Sequence, residues 1–160
     1  MKKLSHYGRR GDVQMVDVST KAVTTRTAKA QAFVRMNPKV VQAVRRLKNP
    51  KGNPLEVARI AGIAAAKRTA EWIPLCHPLP LTHIDVTAAL CKNGVELRSR
   101  VMATAQTGVE MEALVAVTAA ALTVYDMCKA LDKGIEITDI FLNEKTGGKS
   151  GDYRKAGTRL

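Results

Sequence analysis

Short apolar or alternating runs at four places along the chain predict four β-strands. The runs are residues 31–36, 82–90, 95–103 and 135–142. The second and third are joined through Asn93-Gly94, a pair typical of the tight turn in a β-hairpin. We therefore expect two of the four strands to lie side by side and antiparallel.

Apolar residues at helical spacing predict three helices between these strands. Residues 38–48 form a short amphipathic helix, and residues 54–71 form a second one after Asn53, a candidate N-cap. The third helix lies within residues 104–131, and its middle, residues 113–125, carries no formal charge. A helix that is apolar round most of its circumference is normally buried. We expect the fold to be organised around it.

The order of these elements predicts an α+β fold. It reads β-α-β-β-α-β with one extra short helix, which is the ferredoxin-like plan: an antiparallel sheet with helices on one face. We expect a polar N-terminal arm at residues 1–29, with a short extended run at residues 13–18. The ferredoxin-like domain should span residues 30–144, followed by a Gly/Lys-rich C-terminal loop and tail at residues 145–160.

Charge limits the classes of ligand that suit the chain. Among 160 residues, 26 Lys and Arg against 14 Asp and Glu give a formal charge of +12, which favours a polyanionic ligand. Aromatic residues are only 4% of the chain, which is poor material for stacking nucleic-acid bases. We therefore expect a small phosphorylated ligand and no nucleic acid. A nucleic-acid-binding ferredoxin-like domain is the alternative, and a non-catalytic nucleotide sensor is a third interpretation.

The compartment is predicted from what the sequence does not show. The basic N-terminus is followed by no apolar run, and no uninterrupted apolar stretch reaches the roughly 20 residues that span a membrane. Cys76, Cys91 and Cys128 are odd in number and lack CxxC spacing, which argues against a disulfide framework or a zinc site. We expect a cytoplasmic protein without a membrane segment.

The two ends of the long helix carry its charged residues. Asp126 and Lys129 share one helix face, as in an ordinary surface ion pair. The uncharged segment before them favours partial burial instead, which would shift both pKa values and make an acid/base couple. At the other end, Glu110 and Glu112 suit the helix dipole. As acceptors they would instead bind the N–H edge of a purine or pterin ring.

Helix length separates these two groups. With a rise of about 1.5 Å per residue, Glu112 and Asp126 would lie roughly 21 Å apart on one helix. Either the two ends have separate roles, or a second copy packs antiparallel and brings one chain's Glu end to the other's Asp end. An alanine-rich face would allow that close approach, and it consists of Ala113, Ala116, Ala119, Ala120 and Ala121.

Two loops carry further candidates. Three prolines within residues 74–80 stiffen the loop that holds Cys76 and His77, so His77 is a ligand-binding candidate rather than only a structural histidine. A metal site that adds His83 matches no standard spacing. Residues 144–152 contain Gly-Lys-Ser but fail the P-loop pattern, because Asn143 stands where its first glycine belongs. This loop would still bind phosphates through backbone N–H groups and lysines; a disordered basic tail is the alternative.

Six motifs, taken together, carry a resemblance to a known family. They are residues 15–19 (MVDVS), 58–69 (ARIAGIAAAKRT), 73–79 (IPLCHPL), 107–114 (TGVEMEAL), 121–130 (ALTVYDMCKA) and 147–152 (GGKSGD). In this order they resemble the cyclic pyranopterin monophosphate synthase family of molybdenum cofactor biosynthesis. The resemblance covers nearly the whole chain.

The resemblance implies an activity and a set of site residues. The family converts 3′,8-cyclo-7,8-dihydro-GTP to cyclic pyranopterin monophosphate and releases pyrophosphate, a lyase reaction. Transferred by motif, Asp126 and Lys129 become the catalytic acid/base pair. The substrate-binding residues become Leu75, Cys76, His77, Met111, Glu112, Glu110, Lys51, Lys67 and Lys145.

The resemblance also implies an assembly and says what the reaction needs. The family is a homohexamer, a trimer of dimers with its sites at the dimer interfaces, which agrees with the antiparallel arrangement considered for the long helix. It implies no protein-bound metal and no redox cofactor. Whether Mg²⁺ arrives bound to the triphosphate is left open.

Overall fold

A five-stranded sheet backed by helices forms the protein. The computed structural model describes residues 11–46 and 51–157. In chain order the elements are β1 (Thr24–Arg35), α1 (Pro38–Arg45), α2 (Pro54–Ala66), α3 (Thr69–Trp72), β2 (Leu81–Cys91), β3 (Gly94–Ala105), α4 (Glu110–Cys128), β4 (Glu136–Thr146) and β5 (Tyr153–Arg154).

The sheet topology confirms the predicted fold class. The strands lie in the order β2-β3-β1-β4-β5, and every neighbouring pair is antiparallel. The first four strands with α2 and α4 reproduce the β-α-β-β-α-β plan, and α1 is the extra short helix. The two-residue β5 was not predicted; it pairs with the end of β4.

Strand β1 is longer than the sequence predicts. It begins at Thr24 and pairs with β3 along all 12 residues. Its inward residues before Phe33 are alanines, among them Ala28 and Ala30, and its outward residues include Lys29. Small inward side chains give only a weak alternating pattern, so the sequence indicates a strand only from residue 31. The run at residues 13–18, predicted as extended, forms no strand.

The predicted helix over residues 54–71 is divided in two. α2 ends at Ala66, and α3 is a single turn that starts at Thr69. The hydroxyl of Thr69 donates to the Ala66 carbonyl at 3.0 Å, and the Arg68 N–H donates to the Ala65 carbonyl. These bonds satisfy the last carbonyls of α2 and redirect the chain. In the first helix, residues 47 and 48 lie outside the described residues.

Helix α4 is the central element, as predicted, but its alanine face packs inside the chain. Ala113, Ala116, Ala120 and Ala121 are fully buried in the core shared with α2 and the sheet. A Cβ on Gly62 of α2 would lie 2.8 Å from the Ala116 carbonyl oxygen, so only glycine allows this approach. The prediction that these alanines serve a second copy is therefore wrong.

The length of α4 bears on the expectation that the chain has no membrane segment. Its 19 residues are long and apolar enough to cross a membrane by length and composition, although the sequence indicated no such stretch. Of the 18-residue apolar stretch within α4, 61% is buried inside the protein. The apolar character of α4 is accounted for by its packing between α2 and the sheet.

Candidate functional site

The predicted site residues fall into two groups at opposite ends of α4. The helix runs without a break from Glu110 to Cys128, so Glu112 and Asp126 lie about 21 Å apart along its axis. The loop of Cys76 and His77 meets the amino end, whereas Lys51 meets the carboxyl end. One chain therefore brings each group together but keeps the two groups apart.

A cavity of about 350 Å³, here called the amino-end cavity, opens at the start of α4. The proline-rich loop forms one wall, and the first turn of α4 forms another. Six predicted residues line it: Leu75, Cys76, His77, Glu110, Met111 and Glu112. A smaller space of about 150 Å³ adjoins it; Lys67 lines this space together with His77 and Glu112.

Glu112 is the buried titratable group of this cavity. Its residue is only 4% exposed, and burial raises its pKa to about 7, with the charge of Glu110 adding to the rise. Burial also raises the pKa of the Cys76 thiol, and the Glu112 charge adds to that rise. At neutral pH the cavity therefore holds a carboxyl group able to give up or keep its proton, beside a thiol that stays protonated.

A second and larger cavity of about 970 Å³, the basic cavity, continues from the first. Thr107, Gly108, Lys21 and Glu110 line both. Its further cations are Arg26, Lys145 and Lys149, so four cations face one carboxylate. Lys145 Nζ lies 2.7 Å from Glu110 Oε1, so the lysine of the basic cavity is paired with a carboxylate that lines both cavities.

The glycine-rich loop closes the basic cavity. β4 and β5 form a hairpin whose turn contains Gly147, Gly148 and Gly151, all with positive φ. The Gly147 N–H donates to Asp152 Oδ1 at 3.1 Å, and the Gly151 N–H donates to the Gly148 carbonyl. The loop is therefore a defined turn, and the alternative of a disordered tail is wrong for residues 145–157. Residues 151–157, the described part of the chain after Ser150, contain no helix, which agrees with the rejection of a P-loop.

Arg26 is a site residue that the sequence analysis missed. Its guanidinium donates to three backbone carbonyls, those of Ala105, Gln106 and Gly147, at 3.4, 3.4 and 3.3 Å. It therefore ties the end of β3 to the glycine-rich loop. Arg26 and Lys21 fell in the predicted N-terminal arm; the neighbouring motif at residues 15–19 was the only sequence signal that this segment reaches the site.

At the carboxyl end of α4, Asp126 lies between two lysines. Lys129 Nζ is 2.6 Å from Asp126 Oδ1, and Lys51 Nζ is 3.1 Å from Asp126 Oδ2. Lys51 also donates to the Asp126 carbonyl at 2.9 Å. Lys51, which the family resemblance assigned to substrate binding, thus lies beside the predicted acid/base pair.

The predicted partial burial of this pair is wrong for the single chain. The side chains of Asp126 and Lys129 are 56% and 52% exposed. Hydrogen bonds from Lys129 and Lys51 lower the pKa of Asp126, and the hydrogen bond to Asp126 raises the pKa of Lys129. Both shifts favour the charged forms, so the single chain holds an ion pair here rather than a couple that exchanges protons near neutral pH.

No group of three or more His, Cys, Asp or Glu side chains that could hold a metal ion occurs in the described part of the chain. His83 lies on the exposed side of β2, whereas Cys76 and His77 line the amino-end cavity. The three residues considered for a metal site therefore do not form such a cluster.

Fold and cavities define an α+β protein with a ring-sized cavity that opens into a basic one. The chain belongs to the MoaC family, whose model matches residues 15–148. It is 53% identical over 155 residues to a cyclic pyranopterin monophosphate synthase of Parvibaculum lavamentivorans, with 96% of this chain and 97% of that protein covered. The protein of the same name from Deinococcus radiodurans is 55% identical over 146 residues, with 91% and 87% covered. That of Heliobacterium modesticaldum is 54% identical over 155 residues, with 96% and 98% covered.

Proposed function

We propose that the chain is an enzyme that makes cyclic pyranopterin monophosphate from 3′,8-cyclo-7,8-dihydro-GTP and releases pyrophosphate. This is a lyase reaction of molybdenum cofactor biosynthesis. The observation that carries the proposal is the pair of joined cavities, one with a buried carboxyl group and the other with four cations. The names of the relatives support this function, and none of those reported supports the nucleic-acid-binding alternative.

The ligand is oriented by the difference between the cavities. The base, which offers N–H and carbonyl groups, fits the amino-end cavity beside Glu112 and the proline-rich loop. The triphosphate fits the basic cavity, where Lys21, Arg26 and Lys149 supply positive charge. Lys145 stands at the boundary, held by Glu110, so it faces the phosphate nearest to the ribose.

The acid/base pair comes from a second copy of the chain in this proposal. Asp126 and Lys129 are too far from Glu112 along α4 to serve the same ligand. Two copies related by a two-fold axis, with their α4 helices antiparallel, would bring each pair to the other chain's cavity and create two equal sites. A homohexamer built as a trimer of dimers is the assembly that we expect.

Assembly would also change the chemistry of the pair. Packing against a second copy removes water from the exposed side chains, which disfavours both charges and moves the pKa of Lys129 down and that of Asp126 up. Lys129 could then donate and accept the protons needed to open the five-membered ring and rebuild it as a pterin.

Pyrophosphate release is served by the basic cavity. A cyclic phosphate forms when a ribose hydroxyl displaces pyrophosphate, and cations aimed at the departing oxygens stabilise the developing charge. This role requires no oxidation or reduction. We propose that the chain uses no resident cofactor, that any Mg²⁺ arrives with the triphosphate, and that the enzyme works in the cytoplasm.

The direct test is incubation with the cyclised nucleotide. Pyrophosphate should appear together with a pterin that becomes fluorescent on oxidation, in a one-to-one ratio. A matched Lys133→Ala variant, altered at an exposed lysine beyond α4, controls for general loss of charge. A folded protein that binds the nucleotide but forms neither product would contradict the proposed reaction and leave a nucleotide sensor.

A further inference from the structure

Thr24, the first residue of β1, holds a buried hydroxyl with no hydrogen-bond partner. Within residues 11–46 and 51–157, Thr24 Oγ1 is the one buried side-chain oxygen or nitrogen that has no hydrogen-bond partner. A buried polar atom that has lost water without gaining a partner destabilises the fold. Such atoms are rare in folded proteins, and each one calls for an explanation.

The position of Thr24 suggests that explanation. Thr24 lines the basic cavity together with Arg26, Lys145 and the glycine-rich loop. Its backbone is fixed because it lies opposite Ala105 in the register of β1 and β3. Only its side chain can move, and rotation about χ1 between staggered rotamers carries the hydroxyl to the position that the methyl group or the hydrogen had occupied. The hydroxyl can therefore turn from beneath the cavity surface into the cavity.

The cations around the Thr24 hydroxyl do not supply every hydrogen bond that a ligand in this cavity would need. Arg26 already donates to three carbonyls, and Lys145 is paired with Glu110. A polyphosphate chain has many acceptor oxygens, which need hydrogen-bond donors of fixed direction as well as positive charge. A hydroxyl on a strand that pairs along its whole length supplies such a direction.

We propose that the Thr24 hydroxyl donates a hydrogen bond to a phosphate oxygen of the polyphosphate chain in the basic cavity. The inference rests on the proposed function for the presence of that chain. It adds a binding residue at the start of β1, where the neighbouring Arg26 contacts the glycine-rich loop. The unpartnered hydroxyl is then a donor kept ready for the ligand, at a cost in stability while the cavity is free of ligand.

Calorimetric titration of the whole protein with tripolyphosphate tests the proposal without requiring turnover. Thr24→Val keeps the shape of the side chain and removes the hydroxyl, whereas Thr24→Ser keeps the hydroxyl. Because a hydrogen bond to a charged group is lost, Thr24→Val should weaken binding by about tenfold or more. Thr24→Ser should stay within about threefold of the unchanged protein. Thr25→Val makes the same change at the next, exposed position and should have no effect.

Thermal unfolding without ligand supplies the second readout. Removing an unpartnered buried hydroxyl should leave the melting temperature of Thr24→Val unchanged or higher. A lower melting temperature would show that the hydroxyl has a structural partner and would overturn the proposal. Binding by Thr24→Val within twofold of the unchanged protein would overturn it as well. If the unchanged protein itself does not bind tripolyphosphate, the polyphosphate site fails and Thr24 fails with it.

Discussion

The two ends of α4 place the same kind of group in opposite environments. Glu112 is buried beside a second carboxylate, and its pKa rises to about 7. Asp126 is exposed between two lysines, and its pKa falls. The amino end thus contains a cavity formed within one chain, whereas the carboxyl end presents Asp126 and Lys129 with more than half of each side chain exposed. On the proposed function, the amino end would bind the ligand and the carboxyl end would act only when a second copy covers it.

Lys129→Ala should give the largest effect. Loss of a positioned general acid or base reduces turnover by roughly 10² to 10⁴-fold, and an exposed residue should leave folding intact. Initial rates of pyrophosphate release, with Lys133→Ala as the control, measure this. Turnover within tenfold of the unchanged enzyme by a well-folded Lys129→Ala variant would remove the carboxyl end from the mechanism.

Mixing two inactive variants tests whether the ends belong to one site. Asp126→Ala damages one end and Glu112→Ala damages the other. If sites are shared between two antiparallel chains, half of randomly mixed dimers carry one intact site of two, so activity should return to about a quarter of normal. Subunit exchange is verified with differently tagged chains. An inactive mixture despite proven exchange would mean that each site is built from a single chain.

The pH dependence of stability should separate the ends further. Between the ordinary pKa of 4.5 and the raised value of about 7, folded Glu112 keeps a proton that the unfolded chain releases. Stability therefore falls as pH rises through this window. Glu112→Gln removes the effect, so its stability advantage should grow by about 3 kcal/mol between pH 4 and pH 8 in urea unfolding.

The neighbouring variant Glu110→Gln is the control for that measurement. It breaks the ion pair with Lys145, so it should lose stability. It also removes a charge that helps to raise the pKa of Glu112, so it should show only a minor part of the gain that Glu112→Gln shows between pH 4 and pH 8. An advantage of Glu112→Gln that does not grow with pH would mean that a cation reaches Glu112 in the assembled protein. The raised pKa of Glu112 would then hold only for the separate chain and not for the assembled protein.

Salt should have the smallest effect, and mainly at the amino end. Lys149 is exposed at the rim of the basic cavity, and charge attraction there is screened within about 8 Å at physiological ionic strength. Lys149→Ala should weaken tripolyphosphate binding a few-fold and flatten its salt dependence, as titrations at two salt concentrations would show. Lys39→Ala, on α1, is the control. Salt-insensitive binding by the unchanged protein would contradict the role assigned to the cavity.

The sequence predicted those parts of the molecule in which local pattern and tertiary packing agree. The uncharged run within α4 and the alternation in β2 and β3 identified their elements correctly. The start of β1 was missed because residues 24–27 are polar and the next buried residues are alanines. The pairing with β3 defines the strand there. Arg26 was missed for the same reason, since it lies in that segment.

The candidate site was predictable only as a set of motifs. Cys76 and His77 could be placed near Glu112 by resemblance, and the structure brings them to one cavity. The partial burial predicted for Asp126 is wrong for the single chain, because near the end of α4 only one face of the helix is buried and Asp126 lies on the other. The orphan hydroxyl of Thr24 follows from the packing of β1 and has no signature in sequence.

The unbroken course of α4 limits how insertions can change the distance between its two ends. Adding one residue to the helix would lengthen it by about 1.5 Å and also turn one end by about 100° relative to the other. The glycine contact between Gly62 and Ala116 leaves no room for such a turn. The spacing between the two ends can therefore vary only in near-whole turns of about 5.4 Å. In a dimer with shared sites, this spacing would set the distance between the two sites, which could then change only in steps of about one helical turn.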